Sequence, residues 1–169
     1  MPRDYIAYEE STPPPLWVWP IIVGSFIAAA FAVWQDRSAT PTAIGVTSAL
    51  LLVGPLIFWA LVGRLHVRVT HTSLVIGFGH LPLIQKHIPF SDIAEIEPVK
   101  YRPIVEFGGW GIRWGFGGKR AWTIRGNRAV RLKLRSGKLF YVGSEDPEQL
   151  AERIRTAGGG RWGSGGAPE

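Results

Sequence analysis

The sequence predicts an α+β chain: a two-helix transmembrane hairpin, then a mainly antiparallel β domain closed by a C-terminal helix. Three observations predict it. Two long uncharged runs, Ser11–Gln35 and Ser38–Gly63, follow one another near the N-terminus. Apolar alternation with a period of two begins directly after them, at Leu65. Charge divides at the same place: residues 1–62 carry two basic and four acidic side chains, residues 63–169 seventeen and nine. The net +6 of the 169-residue chain therefore belongs to its second part. With 46% apolar residues, 19% charged residues and no cysteine, the composition excludes whole-chain disorder, a disulfide scaffold, a thiol nucleophile and cysteine-ligated zinc.

Leu16–Trp34 and Ala43–Val62 are the expected spans, about 16–34 and 43–62. At 1.5 Å per residue each helix covers about 28–30 Å, the hydrocarbon thickness of a bilayer. Neither has a polar stripe, and a chain of this size has too little protein to surround two such helices. A cleaved secretory signal fits poorly. Ala30-Phe31-Ala32 offers small residues, but the approach is acidic at Glu9 and Glu10 and stiffened by Pro13-Pro14-Pro15. The short polar link Gln35–Thr42 makes the helices antiparallel neighbours, with Trp17, Trp19 and Trp59 at one bilayer face and Trp34 at the other. Arg3, Arg64 and Arg68 against Arg37 set both termini in the cytoplasm of a multi-pass cell-membrane protein. Gly24, Ala28, Gly45 and Ala49 are candidate helix-packing positions, inside the hairpin or against another span, because small residues let backbones approach. Pro55 is expected to bend the second helix. No ionisable group lies in either span, which argues against a transporter.

After Gly63 the sequence reads as about seven short strands. They fall at Leu65–Val69, Leu74–Phe78, about Leu83–Ile88, Ile93–Val99, around Trp122-Thr123-Ile124, Ala129–Arg135 and Lys138–Gly143. Val130, Leu132 and Leu134 face one way, and Arg131, Lys133 and Arg135 the other. Ser136-Gly137 reads as a two-residue turn that sets Arg135 opposite Lys138. A helix opens near Pro147 with Ser144 as its expected N-cap, presents Leu150, Ala151 and Ile154 on one face, and ends before Gly158. The expected organisation is a polar, proline-rich segment over 1–15, the hairpin over 16–62, the β domain over 63–157 and a glycine-rich tail over 158–169.

Seven strands followed by one amphipathic helix is the element order of a pleckstrin-homology-like (PH-like) barrel or sandwich. IPFSDIAEIEPV, GGWGIRWG and RAVRLKLRSGKLFYVGSEDPEQLAERI resemble bacterial membrane proteins in which a helical hairpin precedes a PH-like domain. The resemblance covers Arg64–Arg155 and, in arrangement, the hairpin. It implies a fold and a membrane context, and transfers no catalytic residue. Phosphoinositide specificity does not carry over, because the turn His71-Thr72-Ser73 lacks the lysine and arginine of a basic first hairpin.

Catalytic templates fail. Gly115-Phe116-Gly117-Gly118-Lys119-Arg120 has neither the spacing nor the hydroxyl of a phosphate-binding loop, and there is no G-x-S-x-G elbow. His66, His71, His80 and His87 are not at metal-ligand spacing. Glu95 and Glu97 share one strand face, a pairing that suits acid–base work but more commonly marks a solvated sheet face. No enzyme activity and no cofactor are expected. The glycine-rich stretch 108–118 reads mainly as bulges and tight turns around buried tryptophans. The other reading presents Trp110, Trp114 or Phe116 to the lipid interface beside Arg113, Lys119 and Arg120.

The candidate binding residues are the cations Arg131, Lys133, Arg135 and Lys138, expected on one basic sheet face, with Arg125 and Arg128 at the preceding turn. Near an acidic membrane each is worth about 1 kcal/mol. The expectation is a membrane-anchored binding or scaffolding module at the cytoplasmic face, contacting anionic lipid headgroups or a protein partner. The alternative is a structural subunit of a larger membrane complex, or a homo-oligomer, assembled through the hairpin. Nucleic acid is the weakest partner, since the aromatics available for base stacking sit in the glycine-rich segment.

Overall fold

The computed structural model describes residues 6–35, 40–81 and 83–159. The chain is α+β, with helices α1 (Val18–Gln35) and α2 (Pro41–Val62) inserted after a first strand β1 (Tyr8–Thr12). Strands β2 (Leu65–Val69), β3 (Ser73–Phe78), β4 (Ile84–Pro89) and β5 (Ile93–Lys100) follow. A short helix α3 (Pro103–Phe107) leads to β6 (Gly111–Trp114), β7 (Arg120–Thr123), β8 (Arg128–Leu134), β9 (Leu139–Gly143) and a closing helix α4 (Pro147–Ala157). Arg3, Arg37 and the tail beyond residue 159, which entered the orientation and domain expectations, lie outside the described residues.

The first departure from expectation is β1, inside the segment read as polar and proline-rich. It pairs antiparallel with β2, from Tyr8 opposite Val69 to Thr12 opposite Leu65. The hairpin is thus an insertion between two adjacent strands of one sheet. On the outer face of that pair, Glu9 meets Arg68 at 2.9 Å. On the other face Thr12 is buried and Glu10 half-buried. Glu10 reaches the far end of the chain, accepting hydrogen bonds from the Ser144 hydroxyl and the Glu145 backbone N–H, both at 2.7 Å.

α1 and α2 have 18 and 22 residues, about 27 and 33 Å of helix, and both are apolar enough to cross a membrane by length and composition. Thr40 caps α2, its hydroxyl accepting from the Ala43 N–H at 3.2 Å, with Pro41 at the first helical position. Both feet of the hairpin rest on the β domain. Trp17, just before α1, packs edge-on against Trp110, with ring centroids 6.2 Å apart. His80 stacks on Trp59 at 3.8 Å, and its backbone N–H donates to the Ala60 carbonyl at 2.9 Å. That contact needs glycine next to it. Gly79 has φ +87°, and a Cβ there would run into the Ala60 and Leu61 carbonyls.

Two sheets form. One has the order β1-β2-β3-β4; the other has the order β5-β8-β9-β7-β6, antiparallel except for the β7–β9 pair. Among the described residues no ladder joins them, so the expected barrel is not closed. The core lies between the sheets: Leu65, Val67 and Val69 of β2 and Leu74 and Ile76 of β3 share one cluster with Val130, Leu132, Phe140 and Val142. α4 adds Leu150, Ala151 and Ile154, all fully buried. Burying Leu150 or Ile154 contributes about 1.5–3 kcal/mol relative to exposure. A second cluster on the outer face of the five-stranded sheet, Tyr101, Phe107, Ala121, Ala129 and Tyr141, seats α3.

Two local expectations are corrected. The β8–β9 loop has three residues, Arg135-Ser136-Gly137: the Leu134 N–H donates to the Lys138 carbonyl at 2.9 Å and the Gly137 N–H to the Leu134 carbonyl at 2.8 Å. A glycine at φ +81° in the third loop position makes this turn favourable. Lys138 therefore stands opposite Leu134 rather than Arg135, off the face of Arg131 and Lys133. The N-cap of α4 is Asp146, whose carboxylate accepts from the Gln149 N–H at 3.0 Å. Ser144 is instead engaged by Glu10 and accepts from the Asp146 N–H at 3.1 Å.

Candidate functional site

The six candidate cations lie in two places, the outer face and far turn of β8 and the turn that precedes it. Arg131 and Lys133 lie on the outer face of β8, directly opposite Glu97 and Glu95 of β5. Lys133 Nζ meets Glu95 at 2.6 Å, and Arg131 forms an ion pair with Glu97. Arg135 Nε donates to the Ser91 carbonyl at 2.7 Å, and Lys138 stands exposed at the turn. This face is a ladder of opposite charges, so little positive potential is left to attract an anion. Exposed pairs of this kind contribute about 0–1 kcal/mol each. The same pairing engages the two carboxylates considered for acid–base work.

Arg125 and Arg128 are placed differently. Arg125 lies in the β7–β8 loop and Arg128 opens β8, at the end of the five-stranded sheet nearest the hairpin. Between this loop, the β9–α4 connection, the last residue of β1 and the first residue of β2 lies a cavity of about 220 Å³. Thr12 and Leu65 form its wall beneath the hairpin, and Arg125, Asn127, Arg128 and Ser144 supply polar groups. Arg125 is ion-paired with Glu145; Arg128 meets Glu148 at 2.6 Å and donates to the Glu145 carbonyl at 3.2 Å. Each arginine is thus paired with one glutamate, but a guanidinium has five N–H donors, so donors remain for an anion. Pockets for drug-sized ligands run about 300–1,000 Å³. This one suits a small anionic group. Its loop is fixed from outside by the Trp110 indole, whose N–H donates to the Gly126 carbonyl at 2.8 Å.

A smaller cavity, about 70 Å³, opens on the outer face of the four-stranded sheet under the β3–β4 turn. His66 and Arg68 of β2, Gly77 of β3, Gln85 of β4 and His80 line it. His66 Nδ1 is buried with no hydrogen-bond partner. Burial, and then the nearby Arg68, hold the His66 imidazole below its ordinary 6.5, against an opposing pull from Glu9. Among the described residues no three metal-ligating side chains stand together.

The small residues Gly24, Ala28, Gly45 and Ala49 are exposed, and nothing lies within 4 Å of a Cβ built on Gly24 or Gly45. They do not form the seam of the hairpin. The close approach is at Gly54, where a Cβ would stand 2.7 Å from the Phe26 ring. The glycine-rich stretch also departs from expectation. Trp110 is half-buried, but Trp114 and Phe116 are 69% and 93% exposed, so its turns do not wrap buried tryptophans. Glu10, Trp110 and His80 join the hairpin region to the β domain and were not expected to. The sheet-face ion pairs, by contrast, had a sequence signal, since Glu95-x-Glu97 matches Arg131-x-Lys133.

No curated protein matches the sequence. A family described as "Protein of unknown function (DUF3093)" matches residues 7–100, which start at the edge of β1 and end with β5. The matched unit therefore includes the strand before the hairpin as well as the four-stranded sheet behind it. As the match takes in more than half of the 169 residues, the chain belongs to this family.

Proposed function

We propose that this protein is an integral membrane protein whose α1–α2 hairpin crosses the bilayer and holds a non-catalytic, PH-like binding module against the cytoplasmic face. The rim cavity is its binding site, where Arg125 and Arg128 receive an anionic group, foremost a lipid headgroup. One observation carries the reading: the hairpin leaves from between two strands that are paired with each other, β1 and β2. An anchor tied in at both feet keeps the module at a fixed height and tilt, and it sets the rim cavity beside the membrane surface.

Further support comes from the helices. They match the roughly 30 Å hydrocarbon core in length, and no residue of α1 is buried by protein. Trp17 and Trp59 fall at the domain end and Trp34 at the other, as interfacial belts require. The succession of antiparallel strands closed by α4 supports the PH-like resemblance, while the parallel β7–β9 pair departs from a simple meander.

The test uses the full chain in detergent with added phosphatidylglycerol, with retained lipid counted by native mass spectrometry. Replacing Arg125 and Arg128 with glutamine is expected to weaken retention about five-fold per residue, following about 1 kcal/mol for each cation. Replacing Arg131 and Lys133 is expected to change it little. The reverse ranking would contradict the assignment.

A second reading, assembly with other membrane helices, is favoured by the outward position of Gly24, Ala28, Gly45 and Ala49. Small residues that do not serve the hairpin's own seam are available to a neighbouring span.

A further inference from the structure

We infer that the small cavity under the β3–β4 turn is a second lipid site, one that takes the phosphodiester of a membrane phospholipid. This rests on the membrane-spanning reading of the hairpin but involves none of the rim residues.

Position is the first argument. The turn is fastened to the last turn of α2: the His80 N–H donates to the Ala60 carbonyl at 2.9 Å, the Leu81 N–H to the same oxygen at 3.4 Å, and the His80 ring lies on Trp59. Whatever depth α2 reaches, this turn sits at its foot. Its Leu81 and Leu83 are 55% and 71% exposed. Two bare leucines beside the end of an apolar helix belong at the glycerol and upper acyl level. Polar headgroup layers extend about 5–7 Å beyond the hydrocarbon. The cavity, on the domain side of the turn, falls in that layer.

Chemistry is the second. Cross-strand register lines up His66, Gly77 and Gln85 across three strands, and Arg68 follows His66 on the same face. Gly77 supplies no side chain, and that gap is the cavity. His66 Nδ1 is buried there without a partner, a group that a phosphate oxygen satisfies when the nitrogen carries its proton. Arg68 and the side-chain amide of Gln85 supply further donors beside the His80 ring, and Glu9, the one carboxylate paired with Arg68, lies on its β1 side. A volume of about 70 Å³ is more than twice the roughly 30 Å³ share of one water, so a compact tetrahedral group has room. Phosphate oxygens are strong acceptors for such charged and ring N–H groups.

Gly77 gives a test that leaves every ligand-facing group in place. A Cβ at this position would stand 3.4 Å from Gln85 Cγ and 3.6 Å from the Ile84 carbonyl, so the strand admits a side chain that fills the cavity. The full chain, ¹⁵N-labelled at histidine, is taken into phospholipid-free dodecyl maltoside. Dioleoylphosphatidylglycerol, dioleoylphosphatidylcholine and inorganic phosphate are then titrated separately. Both lipids are expected to shift the His66 and His80 ring resonances and to leave His71 unmoved. Gly77→Val is expected to weaken that response on the order of tenfold or more, and Leu81→Ser with Leu83→Ser to weaken the lipid response alone.

If inorganic phosphate binds as tightly as either lipid, the ligand is a free anion and the lipid assignment falls. If no probe moves His66 and His80, or Gly77→Val responds like the parent, the site itself is refuted. Arg125→Gln with Arg128→Gln serves as the control: a chain that keeps the His66 response while losing rim binding separates the two sites. Failure of the membrane reading appears independently, as release of the parent chain from vesicles at alkaline pH.

Discussion

Glu10 links the segment before the hairpin to the last helix, and two of its bonds depend on its charge. Its carboxylate takes the Ser144 hydroxyl and the Glu145 N–H just ahead of α4, where the helix dipole favours a negative group. Hydrogen bonds to a charged group are worth about 1.5–3 kcal/mol each in favourable settings. Glu10→Gln is therefore expected to lower stability by about 1–2 kcal/mol, read from chemical denaturation, and Glu9→Gln by much less. Equal losses would show that Glu10 only holds β1 in place. His66 gives a pH signature of known sign. Its folded-state pKa lies below the ordinary 6.5, so the unfolded chain takes up the proton first. The stability it contributes is complete above about pH 6.5 and is lost as pH falls through the folded value. His66→Gln should flatten that acid limb of the stability curve, and an unchanged limb would assign it to another group.

At the scale of elements, the seam of the hairpin is at Gly54 and Phe26, whereas the repeating small residues face outward. Gly54→Leu is expected to force the helices apart, with the roughly 1–3 kcal/mol cost of overpacking seen as lower thermal stability in detergent. Gly24→Leu and Gly45→Leu should leave that stability nearly unchanged and, under the assembly reading, release crosslinked neighbours. A loss at Gly24 equal to that at Gly54 would contradict the arrangement. Much of this level was legible in the sequence. Strict alternation in Leu65–Val69 and Arg128–Leu134 and the uncharged runs located strands and helices to within a few residues, because burial sets those periods. β1 was not legible. Tyr-Glu-Glu-Ser-Thr has no apolar alternation, and its pairing is decided by β2, which lies beyond the whole hairpin. The three-residue β8–β9 loop was hidden for a related reason: Ser-Gly fits two turn lengths, and only the register separates them.

At the scale of the molecule, one layout explains the charge pattern. The acidic N-terminal strand neutralises Arg68 of the β domain through Glu9, while Glu10 accepts from the Ser144 hydroxyl and the Glu145 N–H ahead of α4. Glu97 and Glu95 pair with Arg131 and Lys133 on the sheet face, and Glu145 and Glu148 with Arg125 and Arg128 at the rim, where spare guanidinium donors face the cavity. The sequence located the cations but not their partners, since ion pairs between β5 and β8 join residues more than thirty positions apart. The layout stands or falls with the hairpin's passage through the bilayer. Because the chain has no cysteine, Thr42→Cys and Ser136→Cys can each be labelled alone with a membrane-impermeant maleimide in sealed vesicles of known orientation. The account predicts that the two positions react from opposite sides of the membrane, Ser136→Cys from the cytoplasmic face. Labelling of both from the same side would contradict it.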